Sequence, residues 1–401
     1  MVEDRIPVIV SAARTAIGSF SGTLATVPAV DLGAAAIQAV VERAAIDPSA
    51  IDEVFVGCVV VAGQGQAPAR QAAIRAGVPA QVGALTVNKV CGSGLKTVML
   101  AAGLIKAGDG EVYVAGGMEN MNLAPYLLQK ARTGYRLGHG EILDSVVHDG
   151  LWCPFEGQHM GNAAEWIADT FDVSREAQDK FALESHRKAV AAINAGRFKE
   201  EIIPVPVPQR RGEPLMFATD ECPRHDTSME QLARLRPVFK NDGTVTAGNA
   251  SSITDGAAAV LVTSLARANT LGIAPLARIT GYAYGATEPL RIFTAPVIAI
   301  RKLLSLTNTT LADYDLIEIN EAFAAQCLGN GSALADEGWT WDKVNVNGGA
   351  IALGHPIGCS GARVLVTLLH ALKQRRLTTG LVTLCLGGGE AVALSLEMLS
   401  A

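Results

Sequence analysis

Two similar α/β halves with a differently composed segment between them are what this sequence predicts. Three observations predict it. Short Val/Ile-rich runs alternate with Ala-rich helical stretches, and the runs are continuously apolar, as expected of strands covered on both faces. The order of runs is used twice. The stretch from about 123 to 248 breaks the pattern. At 401 residues the chain is also too long for one ordinary compact core.

Taken in order, "PVIVSAART" reads as a strand, "AVDLGAAAIQAVVERA" as a helix and "IDEVFVGCVV" as a strand. "CGSGLKTVMLAAGLIKAG" follows as a helix and "GEVYVAGGMEN" as a strand. Late in the chain "TLADYDLIEINEAFA" answers "SAIDEVFVGCVV". "GCSGARVLVTLLHALKQR" answers the helix, with Ser360-Gly361 at the place of Ser93-Gly94, and "GLVTLCLGGGEA" answers "EVYVAGGMEN". From the matched serines, 26 residues lead to Glu119 and 30 to Glu390. Two halves packed face to face are therefore expected.

The middle segment holds fifteen of the 33 Lys and Arg and five of the seven His. Pro204, Pro206 and Pro208 are expected to break any regular element there, whereas "SREAQDKFALESHRKAVAAINAG" has helical periodicity. Trp152, Phe155, Trp166, Phe171 and Phe181 are expected to supply a small core of its own. "TAGNASSITDGAAAVLVTS" returns with a strand that completes the first half. The division expected is 1–122 with 249–272, then 123–248, then 273–401.

Composition narrows the function classes. The chain is 49% hydrophobic and 18% charged with a net charge of −6, and no basic stripe offers itself to nucleic acid. Seven cysteines without a C-x-x-C pair suggest neither a disulfide framework nor a metal site, and reduced thiols in a reducing compartment are expected. The opening "MVEDRIPVIV" has acids where a secretory leader wants bases, no run is read as a membrane span, and "EMLSA" is no peroxisomal address. A cytoplasmic protein is expected.

Three stretches carry candidate chemistry. Cys91 stands where Gly92-Ser93-Gly94 begins a helix, whose free N–H groups and dipole favour a thiolate and can stabilise an oxyanion. By position alone it reads equally as a core residue. His355 lies in "GHPIG" amid glycines that allow close backbone approach. Cys385 ends a buried strand before Gly387-Gly388-Gly389, whose N–H groups are open to a ligand, and no P-loop lysine is present. If the halves face each other, a nucleophilic thiol, an imidazole and a second thiol converge on one pocket. Asn320 in "INEAFA" ends another strand and reads either as a holder of water or as a strand-end cap.

The stretches "VNKVCGSG", "AGGMENM", "GQHMGNAAE", "GNASSITDGAAA", "NEAFA", "GGAIALGHPIGCSG" and "CLGGGE" resemble the thiolase family, in its order and nearly end to end. The resemblance implies a five-layered αβαβα fold of two duplicated halves with an inserted loop domain, a homotetramer or homodimer, and coenzyme A thioesters as substrates without a cofactor or metal. It implies that Cys91 is acylated, that His355 activates it and that Cys385 moves the α-proton. Asn320 would hold a water forming one oxyanion hole with His355, and Cys91 and Gly387 N–H would form the other. His159 and Met160 match positions near pantetheine and acyl group, Arg224 one by the adenine, and Ser251 one bonding pantetheine. Phe239 and Phe323 match pocket walls, and Ala247 and Ile292 further substrate-facing positions.

The chain departs from the family pattern at Ser252, Thr254, Asn120, Asn122, Glu390-Ala391 and Ile292-Phe293, and around Trp152 and Cys153. These bear on acyl-chain preference. The activity implied is acetyl-CoA C-acetyltransferase, with "CGSG" and the long loop "GYRLGHGEILDSVVHDGL" resembling that branch. The alternatives are a degradative 3-ketoacyl-CoA thiolase with longer substrates, a non-catalytic thiolase-like lipid carrier, and a ketoacyl synthase.

Overall fold

The structure, a computed structural model, describes residues 5–399; the acidic Glu3–Asp4 start and the Ser400–Ala401 end lie outside them. The first half supplies β1 (Pro7–Thr15), α1 (Ala29–Ala44), β2 (Glu53–Gly57), α2 (Pro68–Arg75), β3 (Gly83–Val87), α3 (Ser93–Ala107) and β4 (Val112–Asn120). The middle segment contributes α4 (Met160–Thr170) and α5 (Arg175–Asn194), each opened by a side chain, His159 or Ser174, that accepts a free backbone N–H. Then come β5 (Thr254–Ser264), β6 (Ala277–Ala286), α6 (Ala295–Thr307), β7 (Leu316–Ile319), α7 (Ala324–Ala333), α8 (Ile357–Arg375), β8 (Thr379–Leu386) and β9 (Glu390–Met398).

The strand order is β7-β8-β9-β6-β1-β5-β4-β2-β3. The returning β5 sits between β1 and β4, with Asp255 opposite Asn120 and Ser264 opposite Pro7. β1, β4 and β5 are buried at every residue, which is why they read as unbroken apolar runs. β6 is different: it alternates buried and more exposed residues, laying one face on α6. The halves do face each other, but their sheets are not separate. A two-residue antiparallel contact, Val8 to Arg278 and Ile9 to Ala277, joins them at one edge.

The layers run α1 and α2, the first sheet, α3 with α8, the second sheet, then α6. The central apolar cluster takes Val98 and Met99 from one half and Leu365 and Leu368 from the other, so the duplicated helices share one core. Val90–Ala107, essentially α3, is long and apolar enough to cross a membrane, contrary to the sequence reading; here it is this central helix.

Two expectations for the middle segment are corrected. Val205–Val207 forms a short ribbon with Leu215–Phe217, because Pro206 stands exposed on a two-stranded element that can spare an N–H. The segment has no aromatic core of its own either. Phe155 is 71% exposed and Trp152 42%, while Trp166 and Phe171 pack into a cluster with Phe293, Phe323 and Cys385 of the second half. It leans on that half for its apolar cover.

Candidate active site

Cys91 lies in the turn 88–92 between β3 and α3. Val90, just before it, holds φ at +45°, a left-handed conformation that strains a β-branched residue. Asn88 Oδ1 accepts from Val90 N at 3.0 Å, and Ser93 Oγ accepts from Lys89 N at 2.8 Å while donating to Val90 O at 2.6 Å. This strained, tied-down residue escaped the sequence reading, since nothing about a valine announces positive φ.

Gly387, from the second half, lies beside Cys91 on the cavity wall, close enough for its N–H, with Cys91's own, to favour the thiolate. Burial pushes the Cys91 thiol up to about 12, against the pull of those two donors. At the half-buried Cys91 the desolvation outweighs the thiolate-favouring helix start. Cys385, 2% exposed, is pushed further above the usual thiol range by burial, with Cys91 close enough to add to the effect. Both shifts favour the protonated thiol.

His355 stands two residues before α8 and is nearly buried. Its Nδ1 is 2.6 Å from Ser360 Oγ, and that hydroxyl is 2.9 Å from Pro356 O. A serine has one proton to give. Donated to Pro356 O, it leaves Ser360 Oγ to accept from His355 Nδ1–H, so Nε2 keeps its lone pair. Burial, helped by the Arg363 charge, holds the imidazole down to about 3, neutral and able to take a proton at Nε2. Asn320 Nδ2 lies 3.5 Å from His355 Nδ1, a contact and not a second bond, since that nitrogen already donates. Asn320 is fully buried behind His355, and its Oδ1 has no partner among the described residues.

Cys91, His355, Cys385 and Gly387 open onto one cavity of about 450 Å³. His159, Met160, Phe239, Ala247, Ser251, Ile292 and Phe323 line it too. His159 Nδ1 accepts from Gly161 N at 3.0 Å, and its ring stacks on Phe239 at 4.8 Å. Phe293, 5.4 Å from Phe323 ring to ring, also lines the cavity, and it and Ile292 are each only 2% exposed. Leu151, Thr246, Ile253 and Ile357 line it as well and went unnoticed, because aliphatic side chains and a lone threonine carry no distinctive chemical signal.

Arg224 is not on this wall. It borders a separate surface pocket with Leu183, His186 and Arg187, where its N–H donates to His186 Nδ1 at 3.1 Å. Glu119, which the sequence offered only as a counting mark, accepts from Val59 N at 3.0 Å, Val60 N at 3.2 Å and Gly358 N at 2.9 Å. It ties β4 to the start of α8; burial raises it to about 7 against those three donors. No group of three or more His, Cys, Asp or Glu is poised for a metal among the described residues.

Comparison with known proteins agrees with this layout. Residues 7–266 match the family description "Thiolase, N-terminal domain" and residues 273–398 "Thiolase, C-terminal domain". An acetyl-CoA acetyltransferase of Pseudomonas aeruginosa is 56% identical over 389 residues, covering 97% of this chain and 98% of its own. One from Escherichia coli is 55% identical over 394 residues, covering 98% and 99%. The crystal structure of the Bacillus anthracis acetyl-CoA acetyltransferase superposes with a TM-score of 0.97 at 43% identity, over 100% of both chains. On the duplicated fold, the shared cavity and these matches, the chain belongs to the thiolase family.

Proposed function

We propose that this chain catalyses the reversible condensation of two acetyl-CoA into acetoacetyl-CoA and free CoA, through an acyl group carried on Cys91. The observation that carries this reading is the convergence of two thiols, a neutral imidazole and a cross-half N–H on one cavity. As Cys91 Sγ attacks the thioester carbonyl, its proton passes to His355 Nε2. The C–S bond to CoA breaks, and that proton leaves on the CoA sulfur. Cys385 then passes its own proton to His355 and, as a thiolate, takes the α-proton of a second acetyl-CoA. The enolate carbon attacks the acyl carbonyl, the C–S bond to Cys91 breaks, and the Cys91 thiolate takes the proton back from His355. Thiolysis is the same path reversed.

The pair of N–H groups from Cys91 and Gly387 would stabilise the acyl oxyanion, and a water held between Asn320 and His355 would stabilise the enolate. His159, Met160, Phe239, Ala247, Ser251 and Phe323 would hold the pantetheine arm, and Arg224, away from the cavity, the adenine end. The division 1–122 with 249–272, 123–248 and 273–401 assigns that binding largely to the middle part. We read CoA and its esters as the only reactants, with no cofactor, and the cell interior as the setting.

The bulk that Ile292 and Phe293 bring to the cavity wall supports a short acyl group over the longer substrates of a degradative thiolase. The printed names of the relatives support the same reading. Thiolysis rates across 3-ketoacyl-CoA esters of increasing length test it: a steep fall beyond four carbons is expected, and a rise toward longer chains would favour the degradative alternative. A homotetramer is supported by the apolar arm around 126–142, where Tyr126, Leu128, Leu137 and Ile142 stand at least half exposed. Sedimentation of the intact chain should give four copies, and deletion of the arm two.

A further inference from the structure

The Cys91 and Gly387 N–H groups belong to different halves, so something must fix their spacing. Lys89 Nζ lies 2.6 Å from Glu390 Oε2, joining residues 301 apart. Lys89 is two residues before Cys91, and Glu390 is three after Gly387. Gly388 and Gly389 sit at φ +89° and +90°, a turn without a side chain to grip. Glu390, paired with Leu386 at the hairpin's neck, is the first residue beyond that turn able to form an ionic tie. On the facing side, the bonds of Asn88 and Ser93 hold the nucleophile turn only to its own half. Lys96 is near enough for Lys89 and Glu390 to act on its charge in opposite senses.

We propose that the Lys89–Glu390 ion pair is a positioning clamp that sets the distance between the Cys91 and Gly387 N–H groups. This rests on the function proposed above. With side chains 23% and 36% exposed, the pair contributes at most about 1 kcal/mol to folding. Its effect on catalysis is larger, because oxyanion donors work only within a few tenths of an ångström of their distance. The clamp therefore acts on turnover and hardly on stability or substrate affinity.

Acetoacetyl-CoA thiolysis by wild type, Glu390→Gln and the reversed pair Lys89→Glu/Glu390→Lys tests it. Glu390→Gln is the cleaner single change, since Lys96 can stand in for Lys89. It should lose about ten-fold in kcat, with KM within about two-fold and Tm within about 2 °C. The reversed pair should recover to within about three-fold of wild type. Alkylation of Cys91 by iodoacetamide, which forms an S–C bond without an oxyanion, should be unchanged in rate. The proposal is overturned if Glu390→Gln keeps its kcat, if KM or alkylation changes as much as kcat, or if the reversed pair is no better than the single variant. An inactive wild type would overturn the function itself and this clamp with it; an active wild type matched by Glu390→Gln overturns the clamp alone.

Discussion

Ser93 and Ser360 occupy matched places in the two halves, yet their hydroxyls do different work. Ser93 Oγ serves backbone only, bridging Lys89 N and Val90 O to hold the turn that presents Cys91. Ser360 Oγ bridges an imidazole and Pro356 O, fixing which nitrogen of His355 carries the proton. The cause is a frame shift: α3 begins at its serine, whereas α8 begins three residues before its own. The neighbouring glycines, by contrast, do the same job twice. A Cβ on Gly94 would come within 2.7 Å of Ala362 N, and one on Gly361 within 2.4 Å of Leu95 N. Duplication has kept the packing of the shared core and let the chemistry diverge at the helix starts.

The sharpest break of that comparison removes one thiol from each half. Cys91→Ala should lose at least about 10⁴-fold in turnover and form no acyl-enzyme, whereas Cys385→Ala should lose a similar factor while still becoming acylated on Cys91. Rapid-quench labelling with acetyl-CoA separates them, and equal labelling would deny the two halves separate steps. Next, Gly94→Ala and Gly361→Ala should each destabilise the fold by about 2–3 kcal/mol, by forcing apart helices that touch through backbone. Thermal melts that spare one variant would show the seam to be asymmetric.

A smaller contrast concerns the serines. Ser360→Ala should lower kcat about ten-fold with little change in Tm, since it frees the imidazole tautomer. Ser93→Ala should lower stability by about 1–2 kcal/mol, by orphaning Lys89 N. The smallest effect lies outside both halves. Burial holds His186 down to about 4, so between about pH 6.5 and 4 the unfolded chain takes up a proton that the folded one refuses. Its share of stability is fully present above pH 6.5 and lost as pH falls. A His186→Gln variant should therefore lose less Tm than wild type, by about 2 °C, on going from pH 7 to 5.

Much of this was legible in the chain. The buried strands announced themselves as unbroken Val/Ala runs, and the repeat placed Cys91, His355 and Cys385 at matching ends of elements. The aromatics of the middle segment misled, because Trp152 and Phe155 look like core residues to composition, yet only tertiary contact decides whether anything covers them. Arg224 was nameable by resemblance, but its place beside His186, away from the thiols, depends on how the segment folds back over α5.

Order, repetition and the identity of the reactive groups were fixed by the sequence alone, since periodicity and residue chemistry are local properties. The tertiary structure decided how those groups behave. It raised the two thiols, lowered the imidazole, chose its free nitrogen, and brought Lys89 within 2.6 Å of Glu390. All but the bond from His355 to Ser360, five residues on, depend on burial or on an approach between residues distant in the chain, and neither is encoded in any short stretch of it.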